Sequence, residues 1–285
     1  MMGCCFLSGD TMPNTNEMTI DIDQAWAWLL DAQQGIKSDV TISFDSHGDW
    51  HSPYSVTSAA QTLLTCLLPL VRHSSWVVAQ LGQSLDGRIA TESGHSHYIN
   101  GFESLVHLHR LRALADAVVI GAGTASADNP QLTVRHVSGK HPTRVVIDPR
   151  GRVPAELTLF TTPSAPTLHL TGPEATVART TAEHCVLTLD KNGQFNPADV
   201  VALLAERGLT RVLVEGGGVT VSQFIEANTV DRLHLLVAPL LIGSGRPGLQ
   251  MTPIDTLESA LRPSMRSFRC GDDTLFDVLL SGLTA

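Results

Sequence analysis

The chain has 285 residues, a formal net charge of −9, 43% hydrophobic and 16% charged residues. That length can bury a full core, as one large domain or two smaller ones, and the charged share lies below the usual ~25%. The acidic balance argues against nucleic acid as a partner but leaves room for a local basic pocket around one phosphorylated small molecule.

In chain order, the start MMGCCFLSGD lacks the basic and apolar regions of a signal peptide, and its serine is misplaced for myristoylation. A disordered leader is expected, with Met12 or Met18 as an alternative start. Residues 1–74 read as a partly helical N-terminal extension. DIDQAWAWLLDAQ (21–33) is a helix opened by an Asp cap, and SVTSAAQTLLTCLL (55–68) a second one stopping before Pro69; residues 43–56 carry few structural cues.

From residue 75 to 285 the pattern is regular. Apolar runs suited to buried strands occur at 76–81, 117–121, 144–148, 167–170, 185–189, 211–215, 232–238 and 274–280. Helical stretches lie at 102–115, 197–208, closed by Gly208, and 218–228. This alternation predicts an α/β domain whose central sheet is mixed but largely parallel, with an antiparallel edge. No apolar run approaches the ~18 residues of a membrane span. The cysteines, Cys4, Cys5, Cys66, Cys185 and Cys270, are odd in number and scattered, as expected for free thiols in a cytoplasmic protein.

In open α/β sheets, ligands bind beyond the carboxyl ends of the strands. GQSLDGRIA, GAGTASADNPQLTVR, DPRGR and EGGGV follow four of the runs, so one crevice built from four strand ends is expected. In GAGTASADNPQLTVR (121–135), Thr124 and Asp128 are read either as caps of a short helical turn or as ligand contacts, and Arg135 as a phosphate contact. In EGGGV, a tight strand-to-helix connection needs one glycine or two. A third tilts the reading towards phosphate binding at a positive helix end. The histidines number 12 but are poorly organised: His107 and His109 are two apart on a helix, and His95 and His97 flank Ser96 in a loop. HExxH, PCxxC and GxSxG are all missing, so no metal site or elbow serine is expected.

Taken together, SLDGRIA (84–90), GHSHYI (94–99), LHRLRALADAVVIGAGTASADNPQLTVR (108–135), RVVIDPRGRVP (144–154), LVEGGG (213–218) and VDRLHLLVAPLLIGSG (230–245) resemble the pyrimidine reductase of riboflavin biosynthesis. That is the reductase half of the RibD-type deaminase/reductase. The resemblance runs from about residue 76 to about 280. It implies a dihydrofolate-reductase-like, three-layer α/β/α fold. It also implies NADPH-dependent reduction of 5-amino-6-(5-phosphoribosylamino)uracil at ribose C1′, and a homodimer, for which residues 235–245 offer an apolar stretch.

By motif, the resemblance places Gly82, Tyr98, Thr124, Asp128, Pro149, Arg150, Gly217, Gly218, Val219 and Thr220 at the cofactor. It places Ser96, Arg112, Leu132, Arg135 and Glu215 at the substrate. Asp128 and Glu215 are the acidic candidates for the chemistry: Asp128 to orient nicotinamide or assist proton transfer, Glu215 to accept from pyrimidine N–H groups. Arg112 and Arg135 suit phosphate, although a solvated helix face is the commoner fate of a helical arginine. Arg150 or Arg152 suits the 2′-phosphate of NADPH. The first 75 residues lack the H-x-E and P-C-x-x-C signature, so no deaminase activity is expected. Two other readings are a reductase of another pterin- or pyrimidine-like metabolite such as dihydrofolate, and a non-catalytic ligand-binding relative.

Overall fold

The computed structural model describes residues 18–38, 40–45, 49–97 and 99–281. The expected leader and Tyr98 lie outside them. The chain divides into two compact units, one reaching Leu68 and the other starting at Pro69, slightly before the expected boundary at 74/75.

In the first unit, β1 (Thr19–Ile20) leads into α1 (Ile22–Gln33). Asp21 opens α1 with a capping box: its carboxylate accepts from the Asp23 and Gln24 amides, and the Gln24 side chain accepts from the Asp21 amide. Gly35, at φ +69°, closes it, with the Gly35 and Ile36 amides donating back to Ala32 and Asp31. The cue-poor stretch forms β2 (Ser43–Phe44) and β3 (Trp50–His51), which pair antiparallel, and β4 (Ser55–Val56), which pairs parallel with β1. Helix α2 (Ser58–Val71) runs through Pro69 rather than stopping before it. A proline in the last turn removes only one intrahelical hydrogen bond, so the helix tolerates it there.

The second unit carries β5 (Trp76–Ser84), β6 (Arg88–Thr91), α3 (Phe102–Leu114), β7 (Ala117–Gly121), α4 (Ala122–Asp128), β8 (Thr143–Asp148), α5 (Thr158–Thr161), β9 (Thr167–Thr171) and β10 (Glu183–Val186). It continues with α6 (Pro197–Glu206), β11 (Arg211–Glu215), α7 (Gly218–Glu226), β12 (Arg232–Ala238), β13 (Gly245–Pro247), β14 (Ser264–Cys270) and β15 (Asp273–Leu279). Nine strands form one sheet in the order β10-β9-β8-β7-β11-β5-β12-β15-β14. Pairing is parallel from β10 to β12 and antiparallel from β12 through β15 to β14, the mixed, largely parallel sheet expected. The strand expected at 185–189 sits earlier, at Glu183–Val186.

Register partners share a face of the sheet, and alternate residues point to opposite faces. One face is apolar: Val77, Ala79, Val119, Val145, Val212 and Val214 pack under Val200 and Leu204 of α6 and Val221, Phe224 and Ile225 of α7. The other face carries a polar line, because Glu215, Gln80, His234, Asp277 and Arg266 are successive register partners across β11, β5, β12, β15 and β14. Helix α3 supplies the matching groups. His107 Nε2 and His234 Nδ1 share a hydrogen bond at 2.9 Å, and Arg112 pairs with Glu215. Arg232 meets Asp277 through two hydrogen bonds of 2.9 and 2.6 Å, and the more exposed Arg266 adds one of 3.1 Å. Hence α3 lacks a simple apolar stripe: Ser104, His107, His109 and Arg112 are buried beside Leu111 and Leu114.

Candidate active site

Strands β8, β7, β11 and β5 are consecutive neighbours and all parallel, so the loops after them line one edge of the sheet. These are the four loops marked in the sequence. From β7 the chain moves outward to β8; from β11 it crosses β5 to reach β12. The connections therefore part between β7 and β11, the kind of switch point where a crevice opens.

Glu215 ends β11 beside that switch point. Arg112 Nε and Nη2 donate to its two oxygens, both at 2.7 Å, and both side chains are buried. The solvated helix face does not apply to Arg112, and its fork is spent on a carboxylate rather than left for phosphate. Burial explains the pairing: removing one partner of such a pair costs about 3–5 kcal/mol, because the other charge stays buried and alone. Each Glu215 oxygen keeps a lone pair for a further donor.

The third Arg112 nitrogen, Nη1, donates to the Thr133 carbonyl at 3.2 Å. It thereby grips the segment 131–136, which pairs with no strand. Side chains satisfy its backbone instead: the Val134 amide donates to His141 Nδ1 at 3.2 Å, and the Arg135 amide to His109 Nδ1 at 2.8 Å. Leu132 is buried at φ +55°, a left-handed conformation costly for a branched side chain and concentrated at functional sites. Arg135 is exposed, its Nη1 donating to Thr133 Oγ1 at 3.0 Å. Burial of its stem and nearby Arg112 push its guanidinium below the ordinary value, while Glu215 pulls it up.

The glycines after Glu215 each have a reason inside the chain. Gly216 sits at φ +110°, with Thr124 Oγ1 2.8 Å from where a Cβ would lie. The Gly217 amide donates to Thr124 Oγ1 at 2.9 Å, and a Cβ on Gly218 would overlap the Gly248 carbonyl. Thr220 Oγ1 in turn sits against Gly121, 2.5 Å from its Cβ position. Close packing of the β11 loop, against Thr124 for Gly216 and Gly217 and against Gly248 after β13 for Gly218, thus accounts for all three glycines, and the count alone does not imply a ligand. The start of α7 nonetheless has no side-chain cap, and Val219 is exposed there.

Thr124 and Asp128 do not cap α4: Gly121 is its N-cap, Thr124 is its third residue, and Asp128 is its last and exposed. Asp148 ends β8 and is fully buried, accepting from the Arg152 and Val153 amides at 2.9 and 2.8 Å and from His169 at 3.1 Å. Burial pushes its pKa up, but these hydrogen bonds outweigh it and the net shift is downward. The turn so held presents Pro149 half-buried and Arg150 and Arg152 exposed. After β5, Asp86 accepts from Ser84 Oγ and from the Ile242 and Gly243 amides, which lower its pKa to about 2. Gly82 lies on β5 where a Cβ would collide with the Asn100 carboxamide. Ser96 is half-buried in the loop before α3. The sequence showed His109 only as one of several scattered histidines and left Asp86, Asp148 and His141 without a role, because each acts on backbone amides that no motif displays.

This topology recurs in known enzymes. The fold matches a deaminase/5-amino-6-(5-phosphoribosylamino)uracil reductase from Thermotoga maritima, with TM-score 0.64 and 23% identity, covering 80% of this chain and 65% of that one. It also matches the riboflavin biosynthesis reductase of Saccharomyces cerevisiae, with TM-score 0.61 and 20% identity, covering 77% of this chain and 99% of that one. Residues 75–276 match the RibD C-terminal domain, and the chain belongs to that family. It is 34% identical over 177 residues to the riboflavin biosynthesis protein RibD of Aquifex aeolicus, covering 62% of this chain and 49% of that protein. It is 31% identical over 222 residues to the 2,5-diamino-6-ribosylamino-4(3H)-pyrimidinone 5′-phosphate reductase of Methanothermobacter thermautotrophicus, covering 73% of this chain and 99% of that protein. The chain spans about half the length of the first RibD proteins it matches. No helix among the described residues is long and apolar enough to cross a membrane.

Proposed function

We propose that the chain is an NADPH-dependent reductase converting 5-amino-6-(5-phosphoribosylamino)uracil to its ribitylamino product. The observation that carries this reading is the buried Arg112–Glu215 pair beside the switch point, with exposed Arg135 on the segment that Arg112 grips. NADPH, when bound, supplies the hydride that C1′ of the ring-opened imine receives, while the adjacent nitrogen takes a proton. The residues present suit it. The uncapped start of α7, Gly217 to Thr220, would receive its pyrophosphate, with the Thr124 hydroxyl alongside and Gly82 contributing its backbone on β5, where Asn100 fills the space of a side chain. Arg150 would meet the 2′-phosphate beside Pro149.

Glu215, held by Arg112, accepts from pyrimidine N–H groups with its remaining lone pairs. Arg135 takes the substrate phosphate, Ser96 and Leu132 border it, and exposed Asp128 assists proton transfer. The reading includes a homodimer and a cytoplasmic location, supported by exposed Leu240 and Leu241 and by Cys66, Cys185 and Cys270, which form no disulfide among the described residues.

A second reading has the 2,5-diaminopyrimidinone phosphate as substrate. The name and nearly full-length match of the Methanothermobacter relative favour it. NADPH oxidation by the purified chain, measured with the aminouracil phosphate, the diaminopyrimidinone phosphate and dihydrofolate, decides among them. Turnover of the first supports the proposal, and turnover of neither phosphate refutes it.

A further inference from the structure

We infer that His109 is a positioning residue for the substrate side of this site, holding Arg135 through its main chain. The inference rests on the reading above for what Arg135 binds, but not for the contact itself. His109 is fully buried on α3, one turn before Arg112. Its Nδ1 accepts the Arg135 amide at 2.8 Å, while Arg112 holds the Thr133 carbonyl two residues earlier. α3 therefore grips one short unpaired segment at two points, and Leu132, in its left-handed conformation, directly precedes them. The segment has no ladder, so these two grips, with His141 at the Val134 amide, fix where Arg135 stands relative to Glu215.

An accepting Nδ1 puts the imidazole proton on Nε2, which is buried and has no hydrogen-bond partner. The ring must stay neutral to accept. Its surroundings enforce that: burial, then Arg112, Arg135 and His136 push its pKa down to about 3. His136 packs edge-on against it, with ring centroids 4.6 Å apart.

The test compares His109→Leu, which loses the acceptor, with His109→Asn, whose Oδ1 replaces Nδ1. His109→Leu is expected to raise KM for the ribosylaminopyrimidine phosphate about tenfold, the value of one hydrogen bond. KM for NADPH should stay within about twofold, and His109→Asn should recover most of the loss. Hydrogen exchange at the Arg135 amide gives an activity-independent reading: slow in the wild type and His109→Asn, fast in His109→Leu. An unchanged substrate KM in an active His109→Leu enzyme overturns the inference, as does equal Arg135 exchange in all three proteins. An inactive wild type sinks the functional reading instead, and the exchange data then decide the His109 contact alone.

Discussion

A buried carboxylate that already accepts two guanidinium hydrogen bonds cannot swing, so whatever it recognises must come to it in one orientation. Glu215 is in that position, and its partner Arg112 is 103 residues away in sequence. Motif reading found both residues but not their pairing, because spacing carries no information about contacts across a sheet. Arg150 and Arg152 differ: they are exposed on a turn fixed by Asp148, free to meet a phosphate. The Arg150→Ala, Arg152→Ala double variant is expected to raise KM for NADPH about 10- to 100-fold and leave KM for NADH nearly unchanged, since charge-assisted hydrogen bonds contribute about 1.5–3 kcal/mol. Retained preference for NADPH would remove both residues from cofactor recognition. His107 and His109 add a pH dependence. Burial lowers both folded-state pKa values, His109 to about 3, against ~6.5 in an unfolded chain. The unfolded state therefore binds more protons below ~6.5, and the stability from burying neutral rings, complete above that pH, is lost as pH falls. Urea unfolding between pH 6.5 and 4.5 should show stability falling by up to ~1.4 kcal/mol per pH unit for each ring, with a shallower slope in His109→Asn. Equal slopes would exclude His109 as a contributor.

At the level of elements, long apolar runs were the readable part. All eight strands read from them are present; the inner parallel ones, covered on both faces, are nearly continuously apolar, while β10 at the edge is mostly exposed and β15 pairs antiparallel. β14 was missed since it is the outermost strand and alternates polar, exposed residues, as in SMRSFRC. β6 and β13 are short, and their pairing shows only in three dimensions. Gly208 closes α6 as expected, at φ +74° with the Leu209 amide donating back to Leu204. The glycine loop was legible as a strand-to-helix turn, but its packing against Thr124 and Gly248 was not. That packing separates two glycines of similar appearance. Gly218→Ala should destabilise by about 2 kcal/mol or more, since its Cβ meets backbone that cannot step aside. Gly123→Ala, with nothing within 4 Å of its Cβ on a helix, should be neutral or stabilise by up to about 1 kcal/mol. Thermal unfolding of both variants checks this, and equal effects would mean that the loop has room to adjust.

On the scale of the whole molecule, alternating strands and helices predicted the layered α/β arrangement, and the nine-stranded sheet bears it out. Residues 235–245, set out as a dimer-forming stretch, divide in the structure. Leu236 and Ala238 of β12 are buried within the sheet, and the tail that begins at Pro239 carries the exposed Leu240 and Leu241. If the chain dimerises through that tail, Leu241→Asp should shift sedimentation from dimer to monomer while unfolding temperature stays within a few degrees. A wild type that sediments as a monomer, or a variant that stays dimeric, places the interface elsewhere or nowhere.

The polar line across the sheet has a bearing on alignment errors. Strands built of near-continuous Val, Leu and Ala would bury almost as much apolar surface if one slid two residues along its neighbour, so burial alone discriminates poorly between registers. Sliding β12 by that step would bring Leu236 opposite Asp277 and Gln80, and take Arg232 and His234 from Asp277, which would keep only the more exposed Arg266 on β14. Removing the buried partner of such a pair costs about 3–5 kcal/mol, enough to make the native alignment dominate by a factor of a hundred or more. Glu215 stands at one end of that line, so the feature that keys the strands together also delivers its carboxylate to Arg112. Sliding β11 by the same step would carry Glu215 from its place opposite Gln80 and away from Arg112, so an error of register there would also disarm the site.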